Sequence, residues 1–282
     1  MGTILNGKKR ALEIRAEILE EVKNIRLLNI IPTIALLHVG DIDGSAGYIN
    51  RKADVCRAAL IEPKVISFPM ETTEQDLIST IIKLDKDESI HGILLQLPLP
   101  ENINEENASN AISLEKDVDG VTLSGLGCLL SGKPRIISAG ARAAFELIKM
   151  ADAHLEEKSV CVLGDSIILG RPFAAAAINL GATVKMLSSD NTEYQQYSRD
   201  ADILLVDVGK PKAISSLDVK KGSIVLDAGN NYLNGKLVGD VDFEQVAPIT
   251  SAITPVPGGI GPLLIAMLLK NLLEAVNKKI RI

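Results

Sequence analysis

Tyr48 and Lys52 are the first side chains along this sequence whose types and spacing could do acid–base chemistry. On a helix, four residues apart puts both on one face, and Ile49, Ala53, Cys56 and Leu60 form an apolar stripe on the other. A lysine in water has a pKa of ~10.4 and is a poor base at neutral pH. Desolvated in a cleft, it falls toward the ~7 to 8 that suits proton transfer. The turn-rich Gly40 to Gly47 segment lies where such a cleft would open, at the carboxyl end of an apolar strand. The same spacing also fits a solvated lysine beside a half-buried tyrosine.

Three further stretches deliver polar groups from apolar surroundings. Gly92-Ile-Leu-Leu-Gln-Leu-Pro-Leu-Pro100 reads as a central strand that presents one amide, Gln96, just before two prolines end the ladder. Gln96 either binds ligand at the strand end or holds loop backbone. Asp117-Val-Asp-Gly120 offers two carboxylates, although Asp before Gly is ordinary turn chemistry. Ile253-Thr-Pro-Val-Pro-Gly-Gly-Ile-Gly-Pro262 packs three prolines and three glycines into ten residues. That composition fixes a backbone path, either to bring main chain close to a ligand or to make a rigid connector.

A strand-like Val160-Cys-Val-Leu-Gly164 runs through Asp165 and Ser166 to Gly170-Arg-Pro172, a turn and a helix start. The N-terminus of such a helix is a site for a pyrophosphate, although the spacing is not G-x-G-x-x-G.

These residues need elements to position them. The first half alternates β-type runs with helix-period segments: Thr33 to Val39, Ser45 to Leu60, Val65 to Pro69, Glu74 to Leu84 and Gly92 to Leu97. This is the βαβ pattern of a parallel sheet buried on both faces. Glu101 to Gly120 reads as loop. After a helix over Ala139 to Ala151, strands are expected at Val160 to Leu163, Val184 to Leu187, Ile203 to Val208 and Ile224 to Asp227, a second, doubly wound domain. A terminal helix over Pro262 to Asn277 would return to the first domain. The expected domains are 1–138 completed by 262–282, and 139–261.

Length and composition agree with two cores: 282 residues, 46% hydrophobic, against a prior of roughly 150 residues per domain. The formal charge of −6 is dispersed, and no basic stretch carries interleaved aromatics, so nucleic acid is not an expected partner. The apolar runs fall short of the ~20 residues of a membrane span, and the N-terminus has no signal-peptide pattern, which gives a soluble, cytoplasmic expectation. Three cysteines and three histidines are scattered without metal-type spacing, so no metal site is expected.

Taken in order, Tyr48-x-x-x-Lys52, Gly92 to Pro100, Lys116-Asp-Val-Asp-Gly120, Gly239-Asp-Val-Asp242 and Thr254 to Pro262 resemble the bifunctional methylenetetrahydrofolate dehydrogenase/methenyltetrahydrofolate cyclohydrolase family across essentially the whole chain. The resemblance implies an α/β fold of two domains, a βαβ folate and catalytic domain and a Rossmann-like domain for NAD or NADP, in a homodimer. It implies hydride transfer from 5,10-methylenetetrahydrofolate, then hydrolysis of the methenyl cation to 10-formyltetrahydrofolate. Lys52 would move the proton in hydrolysis, Gln96 would hold and tune it, Tyr48 would stack on or orient the folate, and Asp119 would bind the pterin edge. Pro257, Gly258, Gly259 and Pro262 would meet the substrate. A lysine suits this hydrolysis, because it supplies a base without adding a carboxylate that would overstabilise the cation.

On the dinucleotide side the resemblance selects Gly164, Asp165, Ser166, Ile168, Ser189, Asp190 and Asn230, and here the chain departs from the family pattern. Gly140 and Leu264 replace threonines, Asp165 and Asp190 stand where arginines are common, and Asn230 replaces an aliphatic residue. The two acidic positions favour NAD over NADP, with Lys185 or Arg171 as cations that could offset them. Together the five changes leave open a cyclohydrolase with weakened dehydrogenase activity, alongside the full bifunctional enzyme. A non-catalytic folate binder would have no need of Lys52. A dehydrogenase for another substrate would leave Asp119 and Lys52 unexplained.

Overall fold

The computed structural model describes residues 2–42 and 45–280, which form two compact units. In chain order the elements are β1 (Thr3–Ile4), α1 (Gly7–Leu27), β2 (Thr33–Val39), α2 (Ser45–Ala58), β3 (Glu62–Phe68), α3 (Glu74–Lys86), β4 (Gly92–Leu95), α4 (Glu105–Asn110), α5 (Leu123–Leu130) and α6 (Ala139–Met150). There follow β5 (Ser159–Leu163), α7 (Gly170–Asn179), β6 (Thr183–Leu187), α8 (Gln195–Ser198), β7 (Ile203–Val206), β8 (Ile224–Asp227), β9 (Asn231–Leu233), β10 (Lys236–Val238), α9 (Phe243–Val246), β11 (Ala252–Ile253) and α10 (Ile260–Ile280).

The first unit comprises Glu13–Ile137 and Leu268–Ile282. Its sheet is parallel in the order β3-β2-β4, with Ile34 opposite both Pro63 and Gly92. Every residue of β2 is buried, as a central strand covered on both faces requires. Its core joins Ala35, Leu37 and Val39 to Leu77 and Ile81 of α3 and to Ile93 and Leu95 of β4. A parallel bridge from Ile93 to Asp117 extends the sheet edge toward the Asp-Val-Asp-Gly segment. Gly92 has no room for a side chain, because a Cβ there would lie 2.4 Å from Val118 Cγ1.

Two expectations for this unit change. The Glu101 to Gly120 stretch is not all loop: Asn104 accepts from the Asn107 amide at 2.9 Å and starts α4, and Glu105 and Glu106 lie at the positive end of its dipole. Leu60 does not extend the apolar stripe of α2. The helix ends at Ala58 and Leu60 turns outward at φ +59, whereas Ile49, Ala53 and Cys56 are buried as expected.

The second unit comprises Met1–Leu12 and Ser138–Met267. Its six parallel strands run β1-β11-β8-β7-β5-β6. Chain order leaves β5 first to β6 on one side and then to β7 on the other, so the topological switch point lies at the carboxyl ends of β5 and β7. The grouping of the termini differs from the expected 1–138 and 262–282. Thr3 and Ile4 pair with Ala252 and Ile253, which ties the first residues to this sheet, and α10 contributes residues up to Met267 here and from Leu268 to the first unit.

Candidate active site

In the first unit, α2 carries Lys52 toward the end of β4. Its Nζ donates to Gln96 Oε1 at 2.8 Å. Gln96 Nε2 donates to the Leu97 carbonyl at 2.7 Å, and its backbone N–H to Leu37 O at 2.8 Å. A carbonyl only accepts, so the amide nitrogen must face Leu97 and the amide oxygen must face Lys52. Burial holds the Lys52 pKa below the ordinary lysine value, with the negative charge of Asp119 opposing that fall.

Asp119 shares this environment. Burial pushes its carboxyl above the usual carboxylate range, the Lys52 charge lowers it and Asp117 raises it. The two acids of Asp117-Val-Asp-Gly120 have different surroundings. Asp117 is buried at 2% exposure and its carboxylate accepts from the N–H groups of Gly120, Val121 and Thr122 at 2.8, 3.3 and 3.0 Å. From the other side, Asn271 Nδ2 donates to Val118 O at 2.8 Å and fixes the peptide between the two acids. The turn is therefore built on Asp117 and leaves Asp119 for other work. Asp117→Ala is expected to cost about 1 to 3 kcal/mol, the usual penalty for orphaned buried donors. Urea denaturation checks this: the midpoint falls with the slope unchanged.

Tyr48 is 45% exposed and has the Arg51 guanidinium 4.6 Å above its ring. It precedes Lys52 by one turn, but it stands in solvent while Lys52 is half-buried. Within the expected Gly40 to Gly47 turn, Asp43 and Gly44 lie outside the described residues.

In the second unit the β5 turn has little freedom. Gly164 adopts φ +111, and a Cβ there would lie 2.0 Å from the Asp207 carbonyl oxygen. Ser166 Oγ donates to Asp207 Oδ2 at 2.6 Å and accepts from the Gly170 N–H at 3.2 Å. Helix α7 starts at Gly170 with Leu169 at its cap, and its first-turn amides are engaged within the fold: the Gly170 N–H on Ser166 Oγ, the Arg171 N–H on the Ser166 carbonyl at 3.0 Å and the Phe173 N–H on the Leu169 carbonyl at 2.9 Å. Pro172 has no N–H, so an anion there would meet the helix dipole rather than open N–H groups. Ile168 is half exposed, and its carbonyl accepts from Ser138 Oγ at 2.9 Å. That carbonyl explains Gly140: a Cβ there would come within 2.7 Å of it. Asn230 and Leu264 are exposed.

Each acidic replacement in this unit holds a cation. Arg171 donates to Asp165 through Nε to the carbonyl at 2.7 Å and Nη2 to the carboxylate at 3.1 Å. Lys210 Nζ lies 3.6 Å from Asp190 Oδ1 and donates to Ser189 O at 3.1 Å. Lys185, expected as an offsetting cation, lies over the Tyr197 ring at 5.1 Å.

Asp207, Lys210 and Asp240 join this site without being among the residues expected from sequence. The Gly239-Asp-Val-Asp242 motif was the available signal for Asp240. In the Thr254 to Pro262 segment, Thr254 Oγ1 accepts from Asp227 N–H at 2.7 Å, and Gly258 has φ +117. A Cβ on Gly259 would lie 2.7 Å from Thr254 Cβ, so these glycines have reasons within the fold. The part that Pro257, Gly258, Gly259 and Pro262 play toward substrate rests on the sequence resemblance.

Residues 5–119 match the model of the tetrahydrofolate dehydrogenase/cyclohydrolase catalytic domain, and residues 138–280 match that of the NAD(P)-binding domain. The chain belongs to this family. Among its relatives, the Bifunctional protein FolD of Anoxybacillus flavithermus is 40% identical over 277 residues, 98% of each chain. The solved bifunctional FolD of Campylobacter jejuni is 37% identical, with TM-score 0.95 over 99% of this chain and 100% of that one. The Trypanosoma brucei dehydrogenase-cyclohydrolase, solved with NADP and an inhibitor, is 30% identical, with TM-score 0.94 over 100% and 99%. The first unit thus holds the family's catalytic domain with Lys52, Gln96 and Asp119, and the second its NAD(P)-binding domain.

Proposed function

We infer that this member of the family is a bifunctional enzyme of folate one-carbon metabolism. It oxidises 5,10-methylenetetrahydrofolate with a nicotinamide dinucleotide to 5,10-methenyltetrahydrofolate, and hydrolyses that cation to 10-formyltetrahydrofolate. The observation that carries this reading is the Lys52–Gln96 hydrogen bond in the surroundings of Asp119, in a chain that matches both family domains end to end.

In the oxidation a bound nicotinamide supplies the hydride acceptor. Removing hydride from the methylene bridge leaves an amidinium cation and no proton to move, so the protein's task there is to hold the pterin. We assign this to Asp119, whose carboxylate faces the ring's paired N–H donors, with Tyr48 against the ring. In the hydrolysis, water adds to the cationic carbon and the neutral Lys52 amine takes its proton. The resulting ammonium protonates N5 as the C–N5 bond breaks, and the hydroxyl proton leaves to solvent. Gln96 positions the amine throughout.

For the dinucleotide we propose NAD in preference to NADP, held by Gly164, Asp165, Ser166, Ile168, Ser189, Asp190 and Asn230. Support comes from the loops after β5 and β6, which present Asp165 and Asp190 with Arg171 and Lys210 already engaged on them. Asp190 lies 26 positions after Gly164 (190 − 164), near the ~20-residue spacing at which an acid binds the ribose 2′-OH. Titration of the protein with both dinucleotides is expected to give NAD about tenfold tighter binding, which is ~1.4 kcal/mol. NADP binding as tight as NAD would overturn the preference.

A cytoplasmic homodimer with no membrane partner accompanies this proposal. Helix α10 is apolar enough by composition to cross a membrane, but 61% of its apolar window is buried within the fold, as in the core helix of a soluble protein.

A further inference from the structure

Asp240 is fully buried, at 0% exposure, and its carboxylate gathers the loop after β7. It accepts from the N–H groups of Val208, Gly209 and Lys210 at 2.7, 3.0 and 2.9 Å, and from Asn231 Nδ2 at 2.8 Å. Gly209 takes φ +67, a conformation that favours glycine, so the turn that launches Lys210 has a set path. The backbone of Lys210 is therefore anchored while its side chain is free to reach.

The reach has a direction. In the sheet order β6-β5-β7, the loops after β6 and β7 flank the Gly164 turn at the end of β5. Lys210 crosses that gap, donating to the Ser189 carbonyl at 3.1 Å and lying 3.6 Å from the Asp190 carboxylate. Asp190 is 92% exposed in its side chain, and a pair so open to solvent is weak and easily rearranged.

We propose that Lys210 is a specificity-determining residue for the dinucleotide, acting with Asp190 as a pair that reads the 2′ position of the adenosine ribose. The proposal rests on the dinucleotide reading above. A 2′-hydroxyl suits the intact pair, because it can donate to Asp190 and accept from Lys210. A 2′-phosphate is repelled by Asp190 and binds only when Lys210 leaves that carboxylate for the phosphate. The acid thus sets the preference, and the lysine sets how far NADP is tolerated.

The test measures dissociation constants for NAD and NADP with the wild type, Asp190→Asn, Lys210→Gln, Lys210→Arg and the Asp190→Asn/Lys210→Gln double variant. Asp190→Asn is expected to improve NADP binding relative to NAD by about tenfold or more, and Lys210→Gln to weaken NADP by a similar factor with a far smaller change for NAD. Lys210→Arg retains NADP binding, and the gain from Asp190→Asn vanishes in the double variant. Equal weakening of both dinucleotides by Lys210→Gln would mark a merely structural lysine and overturn the proposal. So would a gain in NADP binding that persists in the double variant. The NAD preference itself is judged on the wild-type ratio alone, so the two readings fail separately, and a wild type that binds neither dinucleotide would overturn both.

Discussion

Replacing Lys52 with Met is expected to remove about 10² to 10⁴-fold of the cyclohydrolase rate, the usual contribution of a positioned acid or base. The variant keeps a straight side chain of similar length and loses only the amine that Gln96 Oε1 holds at 2.8 Å. Burial lowers the Lys52 pKa in the folded protein from the value of 10.5 it has when solvated. The folded state therefore releases this proton at lower pH than the unfolded chain, and below the folded pKa the buried ammonium costs stability. That cost is relieved as pH rises through the window between the folded value and 10.5. Met removes it at every pH, so the thermal midpoint at neutral pH should hold or rise. In the wild type the hydrolytic rate climbs with pH as Lys52 deprotonates, at lower pH than an ordinary lysine, and the variant lacks that limb. A Lys52→Met protein that hydrolyses methenyltetrahydrofolate at the wild-type rate would show Lys52 to be a bystander on α2.

Asp119→Ala is expected to weaken folate binding by ~1.5 to 3 kcal/mol, the worth of a charged hydrogen bond, and equally in both reactions. A second effect follows from the Asp119 charge, which opposes the fall in the Lys52 pKa. Without it Lys52 deprotonates at still lower pH, so the rising limb of the hydrolytic pH profile shifts toward acid. Titration with tetrahydrofolate and the pH–rate profile read the two effects separately. An unchanged folate dissociation constant would reduce Asp119 to part of the turn that Asp117 organises.

Much of the scaffold is legible because parallel strands buried on both faces are written as continuous apolar runs. Thr33 to Val39, Ile203 to Val206 and Ile224 to Asp227 are of this kind and are buried throughout. Strand β3 starts at Glu62, ahead of the expected Val65, because an edge strand tolerates exposed Glu62 and Lys64 that interrupt the apolar pattern. Helix α1 is not among the expected elements, although Ala11, Ile14, Ile18, Val22 and Ile25 recur at helical spacing and are buried. The two residues of β1 carry no periodicity and are defined only by pairing with β11. Short hairpin strands β9 and β10 had a signal in Asn234-Gly235, both at positive φ, which is hairpin-turn chemistry.

The site divides in the same way. Lys52, Gln96 and the Asp-Val-Asp-Gly segment stand out because each is a polar residue in an apolar or turn context. That Asp117 rather than Asp119 builds the turn depends on which backbone amides fold toward it. The acidic character of Asp165 and Asp190 is visible in the sequence, but their cations are not: Arg171 returns over the loop from the first turn of α7, and Lys210 arrives from the loop after β7, two strands away from β6. Asp240 meets the Val208 to Lys210 loop across roughly 30 residues of chain, a contact that no local pattern encodes.

The most direct measurement supplies Lys52→Met with methylenetetrahydrofolate and NAD, and follows reduced dinucleotide and methenyltetrahydrofolate together by absorbance. Two sequential reactions with Lys52 confined to the second predict that reduced dinucleotide forms and the methenyl cation accumulates in step with it, whereas the wild type carries it on to 10-formyltetrahydrofolate. Conversion of the methenyl cation at the wild-type rate in the variant, or no oxidation of methylenetetrahydrofolate by the wild type with either dinucleotide, would contradict the account.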